Sequence, residues 1–338
     1  MGYLWGASGA SQEAEEVDEE EVRKAAARAM VELRRLLVHE VGESLVAGVE
    51  EGEEAGMEAK HGGGEAAKEG GDDAQKDEGG YKDGSGEAGA EEAVGEAAVA
   101  DGIEGHPEDQ RQSGELEYID QVTMRRFLRA YQNNAPLASE RILKMQRWRA
   151  SKSYGLDTLV RDIGRSTEGV QAQLDTGKCV ILKRRDLVGR PIISVQVKLH
   201  DPSVQTPDEL TRFGVHMLLS AEAMLTEKPI LDEAERKFCI IFDLQSVHLS
   251  NIDYHACKRI IYMLTYFFPE RMGVCLLVGA PMFFTAVWHV IKPWLDAKTQ
   301  KKVAFVRVDK LGEYIAPDCR PSWLGGTCED LAEGSVAS

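Results

Sequence analysis

The sequence lacks the short motifs of the common catalytic centres. It has no G-x-S-x-G elbow, no H-E-x-x-H pair and no G-x-x-x-x-G-K-[ST] phosphate loop. His216, His248, His255 and His289 are scattered over different stretches. No two titratable groups are set against each other as acid–base catalysis requires. Asp243, at the end of an apolar run, reads as the cap of the turn that follows rather than as a reacting carboxylate. The expectation is therefore a protein that is not an enzyme, with an α/β hydrolase-type activity the least favoured alternative. Metal chemistry has no better support. None of the six cysteines forms a C-x-x-C pair, and no Cys/His group has zinc spacing. Cys179, Cys239 and Cys275 sit inside apolar runs, where a free thiol acts as a small hydrophobe, so a reducing, intracellular compartment is expected. The opening Met1-Gly2-Tyr3-Leu4-Trp5-Gly6 lacks the basic and long apolar regions of a secretion signal. Position 6 is glycine, where a myristoylation site needs Ser or Thr.

Large apolar residues are nearly missing from residues 48–114, which are mostly Gly, Glu, Ala and Asp. Such a stretch cannot bury enough surface to offset its ordering entropy, and disorder is expected there. It contains no repeat and no nucleic-acid motif, and no nucleic-acid partner is expected. Charge is just as uneven. Residues 1–117 hold 32 Asp and Glu against 10 Lys and Arg, whereas the remainder holds 25 against 30. The overall net charge of −17 thus describes the first third. The mildly basic remainder suits an anionic membrane surface or ligand. Within the acidic region, residues 19–46 carry Val22, Ala26, Ala29, Leu33, Leu37, Val41 and Leu45 at threes and fours, which predicts a solvated or weakly docked helix.

Order is expected from about Leu116. Residues 118–130 and 137–154 read as two helices around the turn Asn133-Asn134-Ala135-Pro136. Strands follow at 179–183 and 192–198, joined through Gly189-Arg190-Pro191, then a helix at 210–224 and a buried strand at 238–244. A helix at 253–268, a strand at 274–278, a helix at 282–296 and a strand at 303–308 complete the pattern. Buried strands alternating with helices predict an α/β domain with a mainly parallel sheet. Residues 273–291 run for nineteen positions without Asp, Glu, Lys or Arg, but Gly279-Ala280-Pro281 divides them into strand, turn and helix rather than one membrane span. Pro293 should kink or divide the helix it lies in.

That helix is too apolar for an ordinary surface helix. Met282, Phe283, Phe284, Ala286, Val287, Trp288, Val290, Ile291, Trp294 and Leu295 leave almost no polar face. Either it is a helix buried on the sheet, or one face meets a ligand cavity or a bilayer and the other meets protein.

Three runs around it, Phe268-Pro269-Glu270-Arg271-Met272-Gly273, Gly279-Ala280-Pro281 and Ile291-Lys292-Pro293-Trp294-Leu295-Asp296, resemble the signature of CRAL-TRIO lipid-binding domains, which include fungal phosphatidylinositol/phosphatidylcholine transfer proteins. Met124-Arg125-Arg126-Phe127-Leu128-Arg129-Ala130 and Gln146-Arg147-Trp148-Arg149 resemble that family's helical N-terminal segment. Gly189-Arg190-Pro191 is similar to its first hairpin and Leu324-Gly325-Gly326-Thr327 to its terminal motif. The resemblance covers residues 118–327. It implies a helical segment over 118–157 and a lipid-binding domain over 165–328; outside it, composition gives an acidic, mostly disordered region over 1–117 with a possible helix at 19–46, and a disordered tail over 329–338. It also implies a sheet that floors an apolar pocket, closed by a gate over residues 282–299, with one bound lipid as the ligand and no cofactor. The pocket and gate residues expected are Phe238, Ile240, Phe242, Phe283, Phe284, Val287, Trp288, Ile291, Trp294 and Leu295.

The same resemblance places a lipid headgroup at Glu270, Arg271, Thr299 and Lys302, and favours phosphatidylinositol or a phosphoinositide, exchanged against a more apolar lipid. Two departures stand out. Tyr131-Gln132 replaces a basic pair, and Phe238 and Ile240 replace the small hydroxyl residues of phosphatidylcholine binders, so phosphatidylcholine should be a poor ligand. The implied setting is cytoplasmic and peripheral to a membrane, with transfer between membranes as the activity. The alternative is a lipid-sensing adaptor that recruits a protein partner through its acidic N-terminal region.

Overall fold

A computed structural model describes residues 19–46, 116–150, 168–226 and 236–328. The expectations for 48–114, 151–157 and 329–338 lie outside the described residues. The chain divides into two compact units, the first drawing on residues 1–62 and 119–139 and the second on the rest.

In the first unit, α1 (Glu19–Val41) lies against α2 (Gln121–Ala130). Leu33 and Leu37 on α1, and Met124 and Phe127 on α2, are fully buried. The stripe that suggested a solvated or weakly docked helix is therefore firmly packed through its second half, and only Val22 near the start stays exposed. Burying such a side chain is worth about 1.5–3 kcal/mol, enough to hold a helix whose exposed face is mostly charged. Asp120 caps α2 by accepting from the Thr123 N–H at 2.6 Å. Gln132 and Asn133, at φ 52° and 61°, turn the chain into α3 (Ala135–Arg149).

The second unit holds the sheet. After α4 (Glu168–Asp175) come β1 (Cys179–Arg185), β2 (Pro191–Gln196), α5 (Pro207–Thr226), β3 (Phe238–Asp243) and α6 (Tyr254–Tyr262). β4 (Met272–Val278), α7 (Phe284–Ile291), α8 (Ala297–Gln300) and β5 (Val303–Val306) complete it. The strands pair in the order β1-β2-β3-β4-β5. β1 and β2 form an antiparallel hairpin, and β2 to β5 run parallel. All four parallel strands thus begin at one edge of the sheet and end at the other. Side chains alternate between the two faces. Val180, Leu182, Ile192, Cys239, Ile241, Leu276 and Val278 pack on the back, under Leu311, Ile315 and Leu324 of the C-terminal chain. There Gly326 is obligatory, because a Cβ would stand 2.2 Å from the Arg320 carbonyl oxygen.

The helix expected over 282–296 is shorter. α7 ends at Ile291 and a 3-10 turn, Lys292–Trp294, carries Pro293, whose missing N–H and fixed φ stop the α-helix. The helix expected over 253–268 gives way after Tyr262 to a wider π turn, Met263–Phe267. Phe267 of that turn stacks on Trp148, with centroids 3.9 Å apart. No helix among the described residues is long and apolar enough to cross a membrane.

A buried polar node closes the edge where β2 and β3 end. Lys178 donates to Gln173 and, at 2.6 Å, to Gln205, while His200 contacts Asp253 at 3.3 Å. Burial pushes Lys178 down from an ordinary 10.5 to about 8, and burial with the Lys178 charge also pushes His200 down. Between pH 8 and 10.5 the unfolded chain holds more protons at this lysine than the folded one, so this group's own contribution to folding stability rises with pH across that window. At 1.36 kcal/mol per pKa unit the rise is on the order of 3 kcal/mol. Urea midpoints of the parent and of Lys178→Gln, followed from pH 7.5 to 10.5, check this. The buried thiols of Cys179, Cys239, Cys257 and Cys275, which burial raises, lower stability above pH 9 in both proteins, so the lysine is read from the difference: the parent's midpoint should gain on the variant's as pH rises.

Candidate functional site

β3, β4 and β5 each deliver one charged residue to the edge at which they begin. Lys237 immediately precedes β3, Glu270 lies two residues before β4, and Lys302 immediately precedes β5. Lys298, on α8, joins them. It donates a hydrogen bond to Glu270 Oε1, while Lys302 Nζ and Lys237 Nζ stand 3.8 and 3.9 Å from Glu270 Oε2. One half-buried carboxylate thus faces three ammonium groups. Burial alone would raise the Glu270 pKa, but the three lysines outweigh it and hold the carboxyl below its ordinary range. Burial pushes Lys302 down, and Lys237 and Lys298 add to that against the pull of Glu270. Glu270 itself sits at φ 58°, a left-handed conformation that costs a non-glycine residue on the order of 1 kcal/mol.

The remaining residues nominated from the sequence go elsewhere. Arg271 does not face this cluster. Its Nε donates to Glu222 Oε1 at 2.8 Å, its Nη2 donates to the same oxygen, and its Nη1 donates to the Arg236 carbonyl at 3.2 Å. The guanidinium is buried and committed, so it holds the turn that carries Glu270 instead of offering a free cation. Thr299 is likewise engaged. Its N–H donates to Asp296 Oδ1 at 2.8 Å and its hydroxyl to Oδ2, which caps α8. Lys237 and Lys298 were missed. Lys237 had no local signal, because only the parallel register brings it beside Glu270, and Lys298 was lost in the polar run Lys298-Thr299-Gln300-Lys301-Lys302.

The front face of the sheet is apolar. Phe242, Cys275 and Leu277 pack with Phe283, Phe284, Val287, Trp288, Ile291 and Trp294 from the chain that crosses between β4 and β5. Phe238 and Ile240 share the Phe242 face by alternation and are buried, whereas Leu295 is partly buried outside that cluster. Cys275 and Leu277, not nominated from the sequence, lie on the same face. The crossing chain leaves β4 at the edge where the parallel strands end and reaches β5 at the charged edge. Its outer side is mixed, with Met282 and Val290 exposed beside Thr285, His289 and Lys292. Asp243 is buried at the end of β3. Its Oδ1 accepts from the Gln245 N–H at 3.0 Å, closing the turn after the strand.

Residues 174–326 match the family model described as the CRAL/TRIO domain. This segment is a CRAL-TRIO domain. The chain is 32% identical over 204 residues to a CRAL-TRIO domain-containing protein of Schizosaccharomyces pombe, covering 60% of this chain and 44% of that one. It is 30% identical over 225 residues to the phosphatidylinositol transfer protein CSR1 of Eremothecium gossypii, covering 65% and 50% respectively. The chain therefore spans about half the length of the curated relatives it matches. The crystal structure of Sfh5 superposes with a TM-score of 0.50 at 16% identity, over 71% of this chain and 88% of that one, a likeness of fold.

Proposed function

We propose that this chain takes up one phospholipid, phosphatidylinositol or a phosphoinositide, and carries it between membranes with its acyl chains shielded between floor and gate. The charge cluster carries this reading. Three ammonium groups around one half-buried carboxylate leave positive charge unanswered at one end of an apolar face. An anionic phosphodiester on two apolar chains requires that combination. The strained φ of Glu270 supports it, since strain is retained where the surroundings hold a residue for a purpose. So does the relative named as a phosphatidylinositol transfer protein. The headgroup set is Glu270, Lys302, Lys298 and Lys237, with Thr299 beside them and Arg271 in support.

The energetics of carriage are simple. Each CH₂ withdrawn from a bilayer into water costs about 0.8 kcal/mol, so an apolar pocket makes exchange nearly neutral and leaves the gate to set its rate. Phe238 and Ile240 offer no hydrogen bond to a choline phospholipid deep on the floor. A more apolar lipid is the expected exchange partner, and the protein works in the cytoplasm as a peripheral visitor to membranes. Native mass spectrometry of protein purified from eukaryotic cells should find phosphatidylinositol-class lipid. Phosphatidylcholine as the main lipid would refute the assignment. The strongly acidic region 1–117 favours a second reading, an adaptor that binds lipid and recruits a protein. Liposome-to-liposome transfer separates the two, because an adaptor binds without net transfer.

A further inference from the structure

β5 is the last strand of the sheet, and its outer edge is open. The Cys275 N–H donates to the Lys302 carbonyl at 2.8 Å, and the Gly279 N–H donates to the Val306 carbonyl at 3.0 Å. Even-numbered residues of β5 therefore turn their backbone groups to β4. The N–H and C=O groups of Val303 and Phe305 point outward, with no partner among the described residues, and the Arg307 N–H continues the row. Such an edge is normally shielded by charge, by proline or by a cover. Here the charges stand at the two ends and the middle is aromatic. Phe305 is 50% exposed, and its ring meets Trp288 and Phe284 of α7 with centroids 5.4 and 6.4 Å apart. Trp288 is itself only half-buried. Before the strand, Lys301 is exposed and makes no ion pair among the described residues, whereas Lys298 and Lys302 are drawn to Glu270. After it, Arg307 and Asp309 are both exposed and paired, Nε to Oδ1 at 2.9 Å. The other carboxylates nearby are committed. Asp296 caps α8, and Glu313 stands 3.8 Å from Lys310.

We propose that a second copy of this chain docks on β5 edge to edge, antiparallel and centred on Phe305. Only odd-numbered residues offer free backbone groups, which leaves two self-pairings near the middle of the strand. Centring on Ala304 sets Lys301 of one copy against Arg307 of the other, and like charges directly opposite repel. Centring on Phe305 sets Val303 against the other copy's Arg307 and carries Lys301 toward the other copy's Asp309. That register is self-complementary, because the dyad repeats the lysine–carboxylate contact at both ends. Phe305 then faces its own counterpart at the dyad, and the two rings join Trp288 and Phe284 of each copy in one aromatic cluster. The sheet runs on through both copies, and its open edge is gone. This pairing needs no lipid and holds whichever ligand the chain carries.

Analytical ultracentrifugation of the full chain tests it, at an ionic strength that screens the net charge of −17. The parent should show a monomer–dimer equilibrium that shifts with concentration. A parent that stays monomeric at its highest soluble loading overturns the proposal. Phe305→Lys should weaken association at least about tenfold, since it sets two like charges together at the dyad. Lys301→Glu, at an exposed position, should weaken it roughly three- to tenfold by facing Asp309. Adding Asp309→Lys to that variant reverses both members of the contact and should bring association back to within about threefold of the parent. Melting temperatures read in parallel separate lost pairing from lost fold. If Phe305→Lys melts early, the charge reversal decides alone. A dimer that survives a folded Phe305→Lys, or a reversal that restores nothing, overturns the pairing.

Discussion

Glu222→Leu should cost the second unit about 3–5 kcal/mol of stability, because it leaves two buried guanidinium groups without their shared carboxylate. Arg271 Nε meets Glu222 Oε1 at 2.8 Å, and Arg149 Nη2 meets Glu222 Oε2 at 3.4 Å while its Nη1 reaches Glu117 at 3.0 Å. Burial would depress the Arg149 pKa, yet the two carboxylates outweigh it and hold the group above its ordinary value. Replacing one member of such a network is worse than replacing several, since the remaining charges stay buried and lose their partner. The melting temperature should drop by roughly 10 °C. Arg271→Met should fall in the same direction, and the double variant should lose less than the sum of the two. Denaturant titration of the four proteins measures the coupling. Additive losses would mean that the pair does not act as one unit. The result also bears on the site: Arg271→Met should lower stability while leaving the choice of headgroup intact.

Removing two of the lysines around Glu270 should strike function instead. Lys237→Ala with Lys302→Ala should lower phosphatidylinositol transfer by at least about a hundredfold, since a hydrogen bond to a charged group is worth about 1.5–3 kcal/mol and two are lost. Lys298 remains to pair with Glu270, so the carboxylate is not stranded and the fold should melt near the parent value. Transfer of an uncharged lipid should be spared. Parent-like phosphatidylinositol transfer would remove the cluster from headgroup binding. Lys237 is the more informative member, because its only tie to the site is spatial.

Much of this protein was legible before its structure. The α/β pattern, the division of residues 273–291 at Gly279 and the end of the apolar helix at Pro293 follow from local rules: period, glycine at φ 64°, and a proline without an N–H. Element ends were less legible. β2 stops at Gln196 because the chain closes a 3-10 turn at Val197–Leu199, and α6 widens into a π turn where Phe267 stacks on Trp148. Both depend on partners distant in sequence.

The candidate site divides along the same line. The over-apolar helix needed only composition, because a helix without a polar face must cover something apolar. Glu270 and Lys302 could be nominated from neighbouring residues. Whether Arg271 would join them could not, since adjacent side chains entering a strand leave in opposite directions. Here Glu270 turns to the lysines and Arg271 turns to Glu222. The sequence by itself determined that this chain would build a parallel sheet with an apolar cover. Tertiary structure alone decided which charges meet at its edge, because strand register aligns residues that no local rule connects.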